Sequence, residues 1–224
     1  MDSVLATTMS NVRADSGRRT LIDEFLPVFD VSDTVATVVG ADTATTWAAL
    51  MEVDLIDVGR RRPLIAVLGA LRAFPDLVAH LVRGESVPAA PRRMRLRDTT
   101  ALTLGTGGWV LLGERPGDEI ALGLVGTFWR PVIYFANVPA DDFRAFAEPG
   151  YAKTIYSLSV RAIEPGRTLL CGVMRTATTD ERARRWFRRY WTCGTGFGAR
   201  VLVQGVLDAV RQAAEQAGRR PPTS

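Results

Sequence analysis

An α+β fold, with a curved antiparallel sheet wrapped around one long C-terminal helix and two short helices after the first strand, is predicted by three features of this chain. Strand-like and helical periodicities are segregated: a strand, two helices, a run of strands, then a terminal helix, whereas a parallel βαβ fold would alternate them. Tight-turn signals, Pro116-Gly117-Asp118 and Pro165-Gly166, separate successive strands and so join antiparallel neighbours. The stretch from Asp180 to Gln216 is amphipathic at helical spacing, with a glycine-rich break inside it.

Residues 1–20 are polar and without periodicity, so they are expected to be disordered; a single domain is placed at residues 21–218, with 219–224 as a disordered tail. Val31 to Val39 is dominated by β-branched residues and predicts a strand ended by Gly40. Asp42 or Thr43 caps the helix that follows, which carries Trp47, Leu50 and Met51 on one face. Pro63 suits the first turn of a second helix, Leu64 to Phe74, where Leu64, Val67, Leu68 and Leu71 fall at helical spacing. Pro75 breaks or restarts it, the continuation to Arg83 groups Leu77, Val78 and Leu81, and Val87 to Pro91 forms a loop.

Strands are predicted at Trp109 to Gly113, Ile120 to Trp129 and Val132 to Phe135, followed by a short helix around Pro139 to Phe146 closed by Pro149-Gly150. Tyr151 to Ile163 alternates. Ala152, Tyr156, Leu158, Val160 and Ala162 share one face and Lys153, Ser157, Ser159 and Arg161 the other, which predicts one buried face. Thr168 to Thr178 forms the last strand, and Thr178, Thr179 or Asp180 caps a helix running to Trp191 or beyond. Gly194, Gly196 and Gly198 each cost about 1 kcal/mol against alanine in a helix, so a kink or short loop is expected there. The final helix resumes near Ala199 and buries Val203, Val206, Leu207, Val210 and Ala214.

With 224 residues, 47% of them apolar, the chain can bury one sizeable core. No stretch approaches the roughly 20 uncharged residues of a membrane-spanning helix. The first residues lack the charge order of a signal peptide, and Cys171 and Cys193 are the only cysteines, which together predict a reducing, cytoplasmic setting. The basic residues are arginines except for Lys153, a bias that fits a GC-rich genome of the actinobacterial kind. The net charge of +4 permits weak contact with an anionic membrane surface; specific nucleic-acid binding is not expected.

Few residues carry obvious chemistry. Lys153, the one lysine, can anchor a carboxylate or form a Schiff base if desolvated, but it equally fits a solvated polar face with Ser157 and Arg161. Arg175, Asp180 and Arg185 come near one another where the last strand meets the next helix; an arginine there can orient an anionic group, while Asp180 also fits a plain helix cap. Arg182, Arg184, Arg185, Arg188 and Arg189 can bind phosphates, with Trp186, Phe187, Tyr190 and Trp191 interleaved, yet on a helix Ala183, Trp186, Phe187, Tyr190 and Trp191 form an apolar stripe with arginine flanks. Glu52, Asp54 and Asp57 are paired-carboxylate candidates or turn caps. Neither glycine cluster, Gly105-x-Gly107-Gly108 or Gly194-x-Gly196-x-Gly198, sits where a nucleotide fingerprint would. His80 is the only imidazole, so no multi-histidine metal site, and no cofactor, is expected.

Several spaced segments resemble a known superfamily. Ser32 to Leu55, with Trp47-Ala-Ala-Leu50 and Asp54-Leu55, looks like the opening of the SRPBCC (START/Bet v 1-like, helix-grip) superfamily. Gly123-Leu-Val-Gly126 with Trp129-Arg-Pro131, Phe143 to Phe146, Pro149-Gly-Tyr-Ala-Lys153, and Asp180 through Arg189-Tyr-Trp191 resemble an uncharacterised bacterial branch of it, covering about Ser32 to Gln216. The chain departs where that branch tends to read Thr-Glu-Thr-Arg, having Gly172-Val-Met-Arg175, and where it reads Pro-Gly-Ser, having Gly194-Thr-Gly-Phe-Gly198. The resemblance implies a helix-grip fold whose internal cavity binds a small apolar ligand such as a lipid, sterol or polyketide-like molecule. Cyclase or dehydratase work on a polyketide-like substrate is the alternative it implies, and binding to anionic membrane or nucleic acid through the arginine-rich helix is another reading of the same residues. The candidate lining residues are Trp47, Leu68, Tyr156, Leu158, Met174, Arg175 and Lys153.

Overall fold

A computed structural model of the protein describes residues 19–61, 93, 95, 96, 98 and 108–219. The expected helices from Leu64 to Arg83, the loop from Val87 to Pro91, and with them Leu68 and His80, lie outside the described residues. In chain order the elements are α1 (Leu21–Phe25), β1 (Val31–Val39), α2 (Thr43–Glu52), α3 (Leu55–Arg61), β2 (Trp109–Arg115), β3 (Glu119–Gly126), β4 (Phe135–Ala136), α4 (Ala140–Phe143), β5 (Ala152–Glu164), β6 (Arg167–Thr178), α5 (Glu181–Tyr190), a π-helical turn (Trp191–Thr195) and α6 (Gly196–Gly218).

All pairings are antiparallel, in the order β1-β6-β5-β3-β2, with two-residue β4 beside the end of β3. The chain is α+β, with the long C-terminal helix the sequence predicts, and its sheet order is compatible with a helix-grip plan. Because paired residues on antiparallel strands point to the same side, the register sorts the side chains into two faces. Val35, Gly172, Leu158 and Ile120 align on the inner face, as do Met174, Tyr156, Leu122 and Leu111. Arg175, Ile155 and Gly123 align on the outer face, as do Val173, Ser157 and Ala121.

Helix α6 lies on the inner face over β1 and β6 and against α2 and α3. Its buried stripe is Val203, Val206, Leu207, Val210 and Ala214. The approach is close because Gly172 has no side chain: a Cβ there would stand 2.7 Å from Val203 Cγ1 and 3.3 Å from Leu207 Cδ1. Between Asp33, Val35, Gly172, Met174, Ala199, Arg200 and Val203 only about 10 Å³ is left, no more than one water needs.

The outer face is also covered, which corrects the expectation that β5 buries one face only. Leu21, Ile22 and Leu26 of α1 and its C-terminal cap, with Val138 and Phe143, pack on Leu112, Ala121, Val125 and Ile155. Ser157, placed on the polar face by alternation, is 3% exposed, and Ile155 beside it is fully buried. The cause is a third layer: Thr20 caps α1, whose apolar residues recur at helical spacing, and Gly123 leaves room for the Phe143 ring.

Other boundaries differ from the pattern. No strand spans Val132 to Phe135; β3 ends at Gly126, and a loop through Trp129 and Pro131 is closed by Thr127 N to Tyr134 O (3.0 Å) and Tyr134 N to Thr127 Oγ1 (3.1 Å), leaving Phe135–Ala136 to pair. Leu55–Arg61 is helix α3 where only a turn was expected, started by Asp54 Oδ1, which accepts from Ile56 N at 3.0 Å. The expected break falls at Gly194, with φ +102°, and α6 begins at Gly196, three residues before Ala199. Only a residue without a Cβ adopts that φ cheaply, so this glycine redirects the chain from α5 into α6.

Candidate functional site

Four of the predicted lining residues are on the inner face or the helix against it. Asp42 caps α2 through Thr45 N at 2.7 Å, which fixes the turn that presents Trp47 to the same apolar cluster as Tyr156 and Leu158. Leu158 and Met174 are buried, under and beside the path of α6. Beyond that path, over β5, β3 and β2, Ile120 and Leu122 are buried, while several larger side chains are only half-buried: Trp109, Leu111 and Tyr156 from the sheet, and Trp47, Met51 and Leu55 from α2 and α3. Trp109, which the sequence marked only as the start of a strand, tilts against Tyr156 with ring centroids 5.6 Å apart.

Tyr156 has unusual surroundings. Burial pushes its hydroxyl up to about 12, and nearby Tyr190 adds to the shift. The hydroxyl has no hydrogen-bond partner among the described residues, although a buried tyrosine O–H usually finds one. Nor is the oxygen sealed in, because the one fully enclosed, unpartnered side-chain polar atom among the described residues is Arg175 Nε.

Lys153 and Arg175 are not brought to this group; both project from the outer face. The Lys153 ammonium donates to Arg144 O at 3.0 Å and Phe143 O at 3.4 Å and lies 5.9 Å from the Phe143 ring centroid; desolvation lowers its pKa. Arg175 pairs with Asp23 at 2.7 Å, donates to Leu26 O at 3.3 Å and stacks on Phe29 at 4.6 Å. Burial alone would raise the Asp23 pKa, but the Thr20 hydroxyl and the Arg175 guanidinium outweigh it and hold the carboxyl below its ordinary value. Buried Glu119 completes this layer, accepting from Leu21 N at 2.9 Å, Ser157 Oγ at 2.6 Å and Arg115 Nη1 at 3.4 Å. Arg175, Glu119 and Arg115 dock α1 on the sheet, while Lys153 holds the end of α4.

Asp180 is the helix cap. Its carboxylate accepts from Ala183 N at 2.8 Å and from Gly150 N, and those backbone bonds lower its pKa. Arg175 does not join it; Arg184 instead pairs with Asp30 at 2.8 Å and Glu181 at 3.0 Å. Along α5, Ala183 and Phe187 are buried and Trp191 stacks on Phe187 at 5.8 Å, but Trp186 leaves the expected stripe and is 48% exposed. It lines a cleft of about 390 Å³ with Trp129, Arg130, Pro131, Gly150, Asp180, Arg182 and Ala183. Three separate sequence segments, Trp129-Arg-Pro131, Pro149-Gly150 and the start of α5, meet there, which spacing along the chain could not reveal.

Of the remaining candidates, Asp54 starts α3 and lies 3.9 Å from Arg93, while Glu52 pairs with Arg95 at 3.0 Å, so those two carboxylates have structural partners. Among the described residues no group of His, Cys, Asp and Glu is arranged to hold a metal, and no helix is long and apolar enough to cross a membrane. Cys171 is half-buried and Cys193 exposed. Comparison with protein-family models and with curated proteins finds no match to this chain.

Proposed function

We propose that the protein binds a small apolar molecule carrying at least one hydrogen-bonding atom, in a recess over the β5–β3–β2 half of the inner face. The observation that carries this is the Tyr156 hydroxyl, without a hydrogen-bond partner among the described residues and held in apolar surroundings beside half-buried Trp109, Trp47 and Met51. An apolar wall with one placed polar group is the usual make-up of a small-molecule site. The SRPBCC-like segments of the sequence point to the same ligand class, lipids, sterols or polyketide-like molecules, and to a helix-grip fold. With α6 seated tightly over β1 and β6, the ligand space moves to the other half of the sheet. Lys153 and Arg175, on which cyclase or dehydratase chemistry would rest, face the outer layer and are engaged there.

Titration with a fluorescent fatty acid tests the proposal. Saturable binding is expected, quenched by a competing sterol or polyketide-like compound, weakened about tenfold by Trp47→Ala and by less in Tyr156→Phe, which loses one hydrogen bond of about 1 kcal/mol. Binding that is absent, or equal in all three proteins, rules the site out.

A further inference from the structure

We propose that the cleft between the loop after β3, the Pro149-Gly150 turn and the start of α5 is a second binding site, for a small planar aromatic anion. None of its lining residues lines the inner-face recess, so the two sites stand or fall separately. At about 390 Å³ the cleft is in the range of small-molecule sites, roughly 300–1,000 Å³.

Its walls specify the occupant. Trp129 and Trp186 come from opposite sides of the cleft's sequence, a loop and a helix, and Trp186 is 48% exposed on a helix whose flanking Ala183 and Phe187 are each 2% exposed. The Trp186 ring is not loose: the Arg189 guanidinium sits 5.4 Å from its centroid. Two indole surfaces held at one opening favour a flat ring over an aliphatic chain, because stacking uses the whole face.

Charge supplies the other half of the recognition. Arg130 and Arg182 line the cleft against a single carboxylate, Asp180, whose oxygens already accept from Ala183 N and Gly150 N. Ala183 N in the first turn of α5 is therefore occupied by Asp180, and an anion is recognised by the Arg182 guanidinium, whose planar donors match carboxylate and phosphate oxygens. Arg182 makes no ion pair within 4 Å among the described residues, and acts on Asp180 through its charge.

A ring bearing a carboxylate and a ring bearing a phosphate share this chemistry, and two probes separate them: 2-naphthoate and adenosine 5′-monophosphate, each followed by proton–nitrogen NMR of the five tryptophan indoles. One of the two is expected to shift the Trp129 and Trp186 signals in a saturable way and to bind about tenfold more tightly than its partial analogue, 2-naphthalenemethanol or inorganic phosphate respectively. Arg182→Ala should weaken it several-fold with the spectrum otherwise intact, and Trp186→Leu should abolish it. Both side chains are exposed, so neither change is expected to unfold the chain. The proposal is overturned if neither anion moves those two indoles, if the alcohol binds as well as the naphthoate, if phosphate alone reproduces the effect of the nucleotide, or if Arg182→Ala leaves affinity unchanged.

Discussion

Replacing Gly172 by alanine puts one methyl group where α6 meets the sheet. Alanine gains in a strand interior by roughly 0.5–1 kcal/mol over glycine where space allows, so a loosely seated helix predicts a neutral or stabilising change. Here the new Cβ would meet Val203 Cγ1 at 2.7 Å, Leu158 Cδ2 at 3.3 Å and Leu207 Cδ1 at 3.3 Å. Val203 is 8% exposed and Leu207 fully buried, so neither has a free direction in which to retreat. Overpacking of this kind costs about 1–3 kcal/mol, and for a domain of this size each kcal/mol lowers Tm by about 2–4 °C. Gly172→Ala should therefore melt roughly 2–12 °C below the parent by differential scanning calorimetry. Val203→Ala removes two methylene equivalents, about 1.6 kcal/mol, but opens the space the new methyl needs. The double variant should be more stable than the sum of the two losses, with a favourable coupling of about 1 kcal/mol or more. A neutral Gly172→Ala, or strictly additive effects in the pair, would mean that α6 does not sit on β6 as described.

Three other perturbations test separate parts of the structure. In the folded protein Tyr156 should resist ionisation until about pH 12, against 10.0 for a free tyrosine. The unfolded chain then loses this proton first, so the stabilisation is complete below pH 10 and is lost as pH rises toward 12, by up to about 2.7 kcal/mol; urea melts of parent and Tyr156→Phe across that window check it, and parallel curves would refute it. Glu119→Gln keeps the shape but spoils acceptance from Leu21 N and Arg115, and should lower urea stability by about 1–3 kcal/mol while exposing α1 to limited proteolysis; an unchanged cleavage pattern contradicts the docking. Asp180→Ala removes the α5 cap and should cost about 0.5–2 kcal/mol at neutral pH. Because the folded pKa lies below 3.8, that contribution is present above the unfolded value and fades as pH falls through the folded one, so the two proteins should converge in acid.

Much of the inner layer was legible in the sequence. The β-branched run Val31 to Val39, the Asp42 cap and the alternation through β5 each have one strong local signal, and each element lies where that signal put it. The break at Gly194 was legible for the same reason, since the cost of glycine in a helix is local. The outer layer was not. Helix α1 has a signal in Thr20 and in the spacing of Leu21, Ile22, Phe25 and Leu26, but a five-residue helix is marginal until it docks. Its docking depends on Glu119, Ser157 and Arg175, distant in sequence, and so Arg175 and Lys153 read as cavity candidates although the pleat turns both outward. The 390 Å³ cleft was illegible for the same reason: Trp129, Gly150 and Trp186 become neighbours only after three strands and a helix are in place.

The measurement that bears most directly on the proposed function is mass spectrometry of small molecules released from the purified protein, beside an unrelated protein handled in the same way. A single apolar species with a hydroxyl or carbonyl, recovered near one per chain from the parent and depleted in Trp47→Ala, is the predicted result. Contradiction would come from an empty extract together with no uptake of a fluorescent fatty acid, leaving the half-buried aromatics around Tyr156 as packing alone.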